Sequence, residues 1–122
     1  MQQMNNGDHG VYMVTDNGLD ALAAVLHETA IEKGFWEGPV NHDKLGNKLA
    51  LVHSEVTEVL EAIRKNHGSE KIVEEMADVI IRLLDLYAAM MNGGLIDTSL
   101  DEQLFKKMDI NSNRPRLHGN LF

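Results

Sequence analysis

Four acidic side chains form the most chemically specific pattern in the chain: Glu55 and Glu58, then Glu75 and Asp78. Each pair is spaced i, i+3, which on a helix sets two carboxylates one turn apart on one face. A turn around Asn66-His67-Gly68 separates the pairs. Two helices folded antiparallel through that turn would bring all four carboxylates to one spot. Carboxylates held close repel one another unless positive charge sits between them. A hard divalent cation meets that need: Mg2+ takes oxygen ligands and keeps several waters for a phosphate substrate. Mn2+ accepts the same donors. Taken singly, an i, i+3 acidic pair is ordinary decoration of a solvated helix. Two pairs on consecutive helices, each bordering an apolar stripe, are less ordinary, because carboxylates beside a buried surface need a partner.

A second group is aromatic. Phe35 and Trp36 lie in Gly34-Phe35-Trp36-Glu37-Gly38-Pro39, a segment whose glycines and proline mark a loop. One reading is an apolar plug closing the end of a bundle. The other is a stacking platform, since an aromatic ring stacks on any nucleobase. The two readings can apply to different residues of the loop. Lys48 lies two turns before Glu55 on the same side. It could meet a phosphate, but a solvated lysine is the expectation.

The elements that must position these groups are helical. Leu19, Leu22, Ala23, Leu26, Ala30 and Ile31 repeat at three- and four-residue spacing, after capping residues Asp16 and Asn17 and before Gly34. A second helix is predicted from His42-Asp43 to about Lys65, with Leu45, Leu49, Val52, Val56, Val59 and Ile63 on its apolar face. A third opens at Ser69-Glu70, with Ser69 read as its cap, and runs to Met91. It is apolar on most sides, which predicts either a central helix or one covered by a second subunit. Its polar stripe holds Lys71, Glu75, Asp78, Arg82 and Asp85, with Asp78 and Arg82 spaced for an ion pair. Ser99-Leu100-Asp101-Glu102 is a capping box for a fourth helix, and Pro115 bars its continuation. No strand alternation persists. The expectation is an all-α, four-helix bundle-like domain over residues 17–122, preceded by a flexible arm at residues 1–16.

Composition narrows the function classes. A chain of 122 residues makes one domain with a modest core. A formal charge of -8 argues against nucleic acid polymers, which demand clustered Lys and Arg, but not against a single nucleotide whose charge a metal offsets. No Cys is present, so disulfides and thiolate catalysis are excluded. No phosphate-binding Gly-x-x-x-x-Gly-Lys loop and no Gly-x-Ser-x-Gly elbow occur. None of the six His follows a Glu by three residues, as di-iron carboxylate bundles require. The first residues show no basic stretch followed by an apolar run, and no run spans a bilayer. A cytoplasmic protein without a secretory leader or membrane partner is expected.

From about Leu22 to His118 the chain resembles the MazG-type nucleotide pyrophosphohydrolases of the all-α NTP pyrophosphatase superfamily. Glu55-x-x-Glu58 and Glu75-x-x-Asp78, sixteen residues apart, are similar to that family's two-part acidic motif. His53-Ser54-Glu55-Val56-Thr57-Glu58, Phe35-Trp36, Lys107, Asn111 and Arg114-Pro115 are similar as well. Asn120 departs from the pattern, in which a Lys follows His-Gly. The resemblance implies Mg2+-dependent hydrolysis of (deoxy)nucleoside triphosphates to monophosphate and pyrophosphate, with nucleotide-pool housekeeping as the role. It implies a homodimer or homotetramer binding substrate between subunits. The four carboxylates would hold the metal, and Glu58 or Glu55 would activate water. Lys107, Asn111 and Arg114 would contact phosphates or sugar, with Phe35 and Trp36 at the base. Two alternatives remain open from the residues alone: a non-enzymatic helical dimerisation module, and a phosphohydrolase acting on another pyrophosphate compound.

Overall fold

The computed structural model describes residues 18–119. The arm read at residues 1–16, the caps at Asp16 and Asn17, and Asn120 lie outside the described residues. The described chain is all-helical, with α1 at Gly18–Glu32, α2 at His42–Arg64, α3 at Ser69–Asn92, α4 at Leu100–Ser112 and a short 3-10 turn at Arg116–Gly119. Among the described residues no strand occurs. They divide into two compact units, one of residues 18–21 with 97–119 and one of residues 22–96.

In the smaller unit the starts of α1 and α4 cap each other. Ser99 is the N-cap of α4, and its Oγ accepts the Glu102 N–H at 3.2 Å. Asp20 accepts the N–H groups of Leu100 and Asp101 at 3.0 and 3.3 Å, and the Ser99 hydroxyl at 2.5 Å. Asp101 reciprocates, accepting the N–H groups of Leu19 and Asp20, each at 3.0 Å. The first N–H groups of a helix lack internal partners, and a carboxylate there also meets the positive end of the helix dipole. Asp101 is only 3% exposed, so truncating it would strand donors away from water. Asp101→Ala is therefore expected to lower the unfolding free energy by about 2 kcal/mol. The check is a urea midpoint that falls at constant slope; an unmoved midpoint would remove the caps from the account.

In the larger unit α2 and α3 make the main interhelix contact, antiparallel across the turn at residues 65–68. Small and aliphatic side chains fill this core: Ala23, Val52, Ala62, Leu84, Leu86, Ala88 and Ala89. The packing inside this unit is that of a helical bundle. Asn41 caps α2, its side chain accepting the Lys44 N–H at 2.9 Å. Ser69 is not a cap: Gly68, at φ 96°, holds that position without a side-chain bond, and Ser69 is the first helical residue. At the end of α1, the N–H groups of Gly34 and Phe35 return to the carbonyls of Ile31 and Ala30, both at 3.0 Å. Gly34 adopts φ 87° to allow this, and Asn66 at φ 53° does the same after α2.

The third helix is not central within one chain. Val73, Met76, Ile80 and Leu83 of α3 are exposed, as are Leu49, Val56, Leu60 and Ile63 of α2. The helices bury one side against their neighbours and leave a second apolar side open. No helix among the described residues is long and apolar enough to cross a membrane.

Candidate functional site

The larger unit holds a cavity of about 480 Å³. Leu26, Ala30, Phe35 and Ile81 give it apolar walls; Lys33, Lys48, Arg82, Glu55, Asp78 and Asp85 give it charged ones, and Thr29 completes the lining. That volume is within the range of about 300–1,000 Å³ typical of small-molecule sites. Glu55 comes from α2 and Asp78 from α3, one member of each acidic motif. The antiparallel hairpin of α2 and α3 is what brings both to one cavity.

The two other motif acids are placed differently. Glu58 is exposed on α2. Glu75 is buried at 8% exposure and pairs with Lys71, Nζ to Oε2 at 3.6 Å. Neither is part of the cavity lining. Glu55 pairs with Arg82, Nε to Oε1 at 3.7 Å, so Arg82, spaced in the sequence for a pair with Asp78, reaches across to α2 instead. Among the described residues no group of three or more His, Asp or Glu is gathered closely enough to hold a metal ion. Arg82 and Lys71 supply the positive charge near Glu55 and Glu75. The donor chemistry still fits Mg2+. This ion commonly uses one or two carboxylates and completes its shell with waters and substrate phosphates, rather than with an all-protein cage. Glu55 and Asp78, both lining the cavity, match that partial set.

Beside the cavity lies a polar cluster that sequence reasoning missed. His27, buried at 4% exposure on α1, donates from Nδ1 to Asp85 Oδ1 at 2.7 Å. Trp36 Nε1 donates to both Asp85 oxygens, at 3.0 and 2.9 Å. The two rings meet edge to face, with centroids 5.3 Å apart. Lys48 Nζ donates to the Phe35 carbonyl at 2.7 Å and lies 4.6 Å from the Trp36 ring centroid. Partial burial lowers the Lys48 pKa from the ordinary lysine value, and the Asp85 charge opposes that shift. Lys44 adds a bond from its ammonium to the Glu37 carbonyl. The loop after α1 is thus fastened from α2 by two lysines and from α3 by Asp85.

The aromatic pair divides. Trp36 is half-buried and committed to Asp85, His27 and Lys48, whereas Phe35 is 60% exposed and lines the cavity. The plug and platform readings therefore fall on adjacent residues. Asp85→Ala removes the acceptor of both ring N–H groups. It is expected to cost about 1–3 kcal/mol of stability and to shift the emission of Trp36, the only Trp in the chain. Emission and unfolding midpoint both at wild-type values would contradict the cluster.

Lys107, Asn111 and Arg114 belong to the smaller unit, where all three are exposed on α4 and its exit. The Arg114 N–H caps the helix end by donating to the Asn111 carbonyl at 3.2 Å. Comparison of the chain with protein-family models, with curated proteins and with solved structures gives no match in any of the three.

Proposed function

We propose that this chain is a Mg2+-dependent pyrophosphohydrolase of nucleoside triphosphates, of the MazG-like kind. The observation that carries the reading is the lining of the cavity: Glu55 and Asp78 from two packed helices, with Lys33, Arg82 and the exposed ring of Phe35. A triphosphate needs cationic partners and an ion held by carboxylates. A base needs a flat apolar surface. One cavity offers both sets of groups.

Glu55 and Asp78, the two motif acids that line the cavity, would hold the ion. When bound, Mg2+ supplies positive charge against the phosphates. Arg82, which pairs with Glu55, is itself suited to phosphate oxygens through its planar fork. Glu58, exposed on α2 one turn after Glu55, would take the proton from the attacking water. Water adds to phosphorus, one P–O bond of the anhydride breaks, and monophosphate and pyrophosphate leave. Lys107, Asn111 and Arg114 are assigned to phosphate or sugar contacts on the strength of the resemblance. The role is housekeeping of the nucleotide pool in the cytoplasm.

Self-association is part of the proposal. Val73, Met76, Ile80 and Leu83 repeat at three and four residues, the spacing of a coiled-coil seam, and all are exposed. Leu49, Val56, Leu60 and Ile63 make a similar stripe on α2. These stripes also favour a second reading, a helical dimerisation module without chemistry. Incubation of the purified chain with Mg2+ and a panel of ribo- and deoxynucleoside triphosphates, with products identified, separates the two. Pyrophosphate and monophosphate from at least one nucleotide support the enzyme; no turnover of any of them supports the module.

A further inference from the structure

Lys48 reaches from a rigid helix to a loop bounded by Gly34 and Gly38, both at positive φ. Its ammonium binds the Phe35 carbonyl, covers a face of the Trp36 ring and lies 5.9 Å from the Phe35 ring centroid. Trp36 has its N–H on Asp85 and an edge on His27, and it is absent from the cavity lining. Phe35 is the loop aromatic that faces the cavity. A glycine-flanked loop holds no fixed orientation by itself, so the direction of the Phe35 ring depends on what fastens its backbone.

We propose that Lys48 is a positioning residue for the nucleotide base: by clamping the Phe35 carbonyl and the Trp36 ring, it presents the Phe35 ring to the cavity as a stacking platform. The proposal rests on the nucleoside triphosphate reading above and assigns three roles within it. Phe35 touches the base, Trp36 anchors the loop, and Lys48 ties that anchor to the helix that carries Glu55. Lys48 is not a phosphate ligand in this scheme, because its ammonium is already engaged by a carbonyl and two rings. The opposite assignment would require Nζ to leave the Phe35 carbonyl and both rings.

The test compares Phe35→Ala, Lys48→Met and Lys48→Arg with wild type, using two ligands in the presence of Mg2+. One is a nucleoside triphosphate analogue that resists hydrolysis; the other is inorganic tripolyphosphate, which has the phosphates without the base. Phe35→Ala and Lys48→Met are each expected to weaken the nucleotide analogue by about tenfold or more and to leave tripolyphosphate unchanged. KM for the natural nucleotide rises while kcat stays within about twofold of wild type, the pattern of lost uniform binding. Lys48→Met also shifts the Trp36 emission, and Lys48→Arg restores both binding and emission. Equal weakening of both ligands by Lys48→Met would make Lys48 a phosphate contact and overturn the proposal. Wild-type nucleotide affinity in Phe35→Ala would overturn it too. If wild type hydrolyses nucleotides but Lys48→Met has an unchanged KM, only this inference fails. If wild type neither binds nor hydrolyses any nucleotide, the functional reading fails and takes the inference with it.

Discussion

Asp78→Asn is expected to reduce pyrophosphate release by about two orders of magnitude or more, with helical signal and unfolding midpoint near wild type. The substitution keeps shape and removes charge. Asp78 lines the cavity, and its side chain makes no hydrogen bond or ion pair with another described residue. It therefore has little to lose structurally and, as an ion ligand, most of its role to lose chemically. Glu58→Gln should match that loss if Glu58 is the base, again without unfolding, since the side chain is exposed. Glu55→Gln is a different case because it also breaks the Arg82 pair. Full activity in both Asp78→Asn and Glu58→Gln would refute the assignment of the site.

Ile80→Glu is expected to convert the protein to monomers. Ile80 is half exposed, in the middle of the α3 stripe. A carboxylate buried at a self-association seam without a partner is strongly unfavourable. Association should weaken by about a hundredfold or more, since each 1.4 kcal/mol is a factor of ten. Sedimentation or light scattering at micromolar concentration reads this directly. The helical fold of the monomer should survive, because Ile80 contributes little to the core of one chain. Wild type sedimenting as a monomer would remove the seam from the account.

The helices were legible because their signals are local. Periodic Leu, Val and Ile with Gly34, Asn66-His67-Gly68 and Asn92-Gly93-Gly94 between the runs mark α1, α2 and α3. The capping box at Ser99 placed α4, but the reciprocal partner Asp20 is 79 residues away and has no local signature. Ser69 misled by one position, since Gly68 takes the cap with a backbone conformation that no side-chain rule anticipates. The acidic motifs showed where carboxylates would sit along each helix. They did not show that Arg82 crosses to Glu55.

The same limit explains the cluster around Asp85. His27 and Asp85 are 58 residues apart, and Trp36 and Asp85 are 49 apart. A histidine on one helix and an aspartate on another reveal a pairing only once the helices pack. Lys48 was read as solvated because a lone lysine on a helix usually is. Its partner is a backbone carbonyl, which any residue at position 35 would present. The aromatic loop carried a usable signal in its composition, and the structure divided that signal between Trp36 and Phe35.

The central claim is that α2 and α3 together supply the carboxylates that hold a divalent ion against a triphosphate. Titration of Mn2+ followed by electron paramagnetic resonance, with and without a hydrolysis-resistant nucleoside triphosphate, measures it most directly. Mn2+ binding is expected to strengthen at least about tenfold when the nucleotide is present, because protein carboxylates and phosphate oxygens would hold the ion together. Asp78→Asn should abolish that gain. Mn2+ affinity that is the same with and without nucleotide, and the same in wild type and Asp78→Asn, would contradict it.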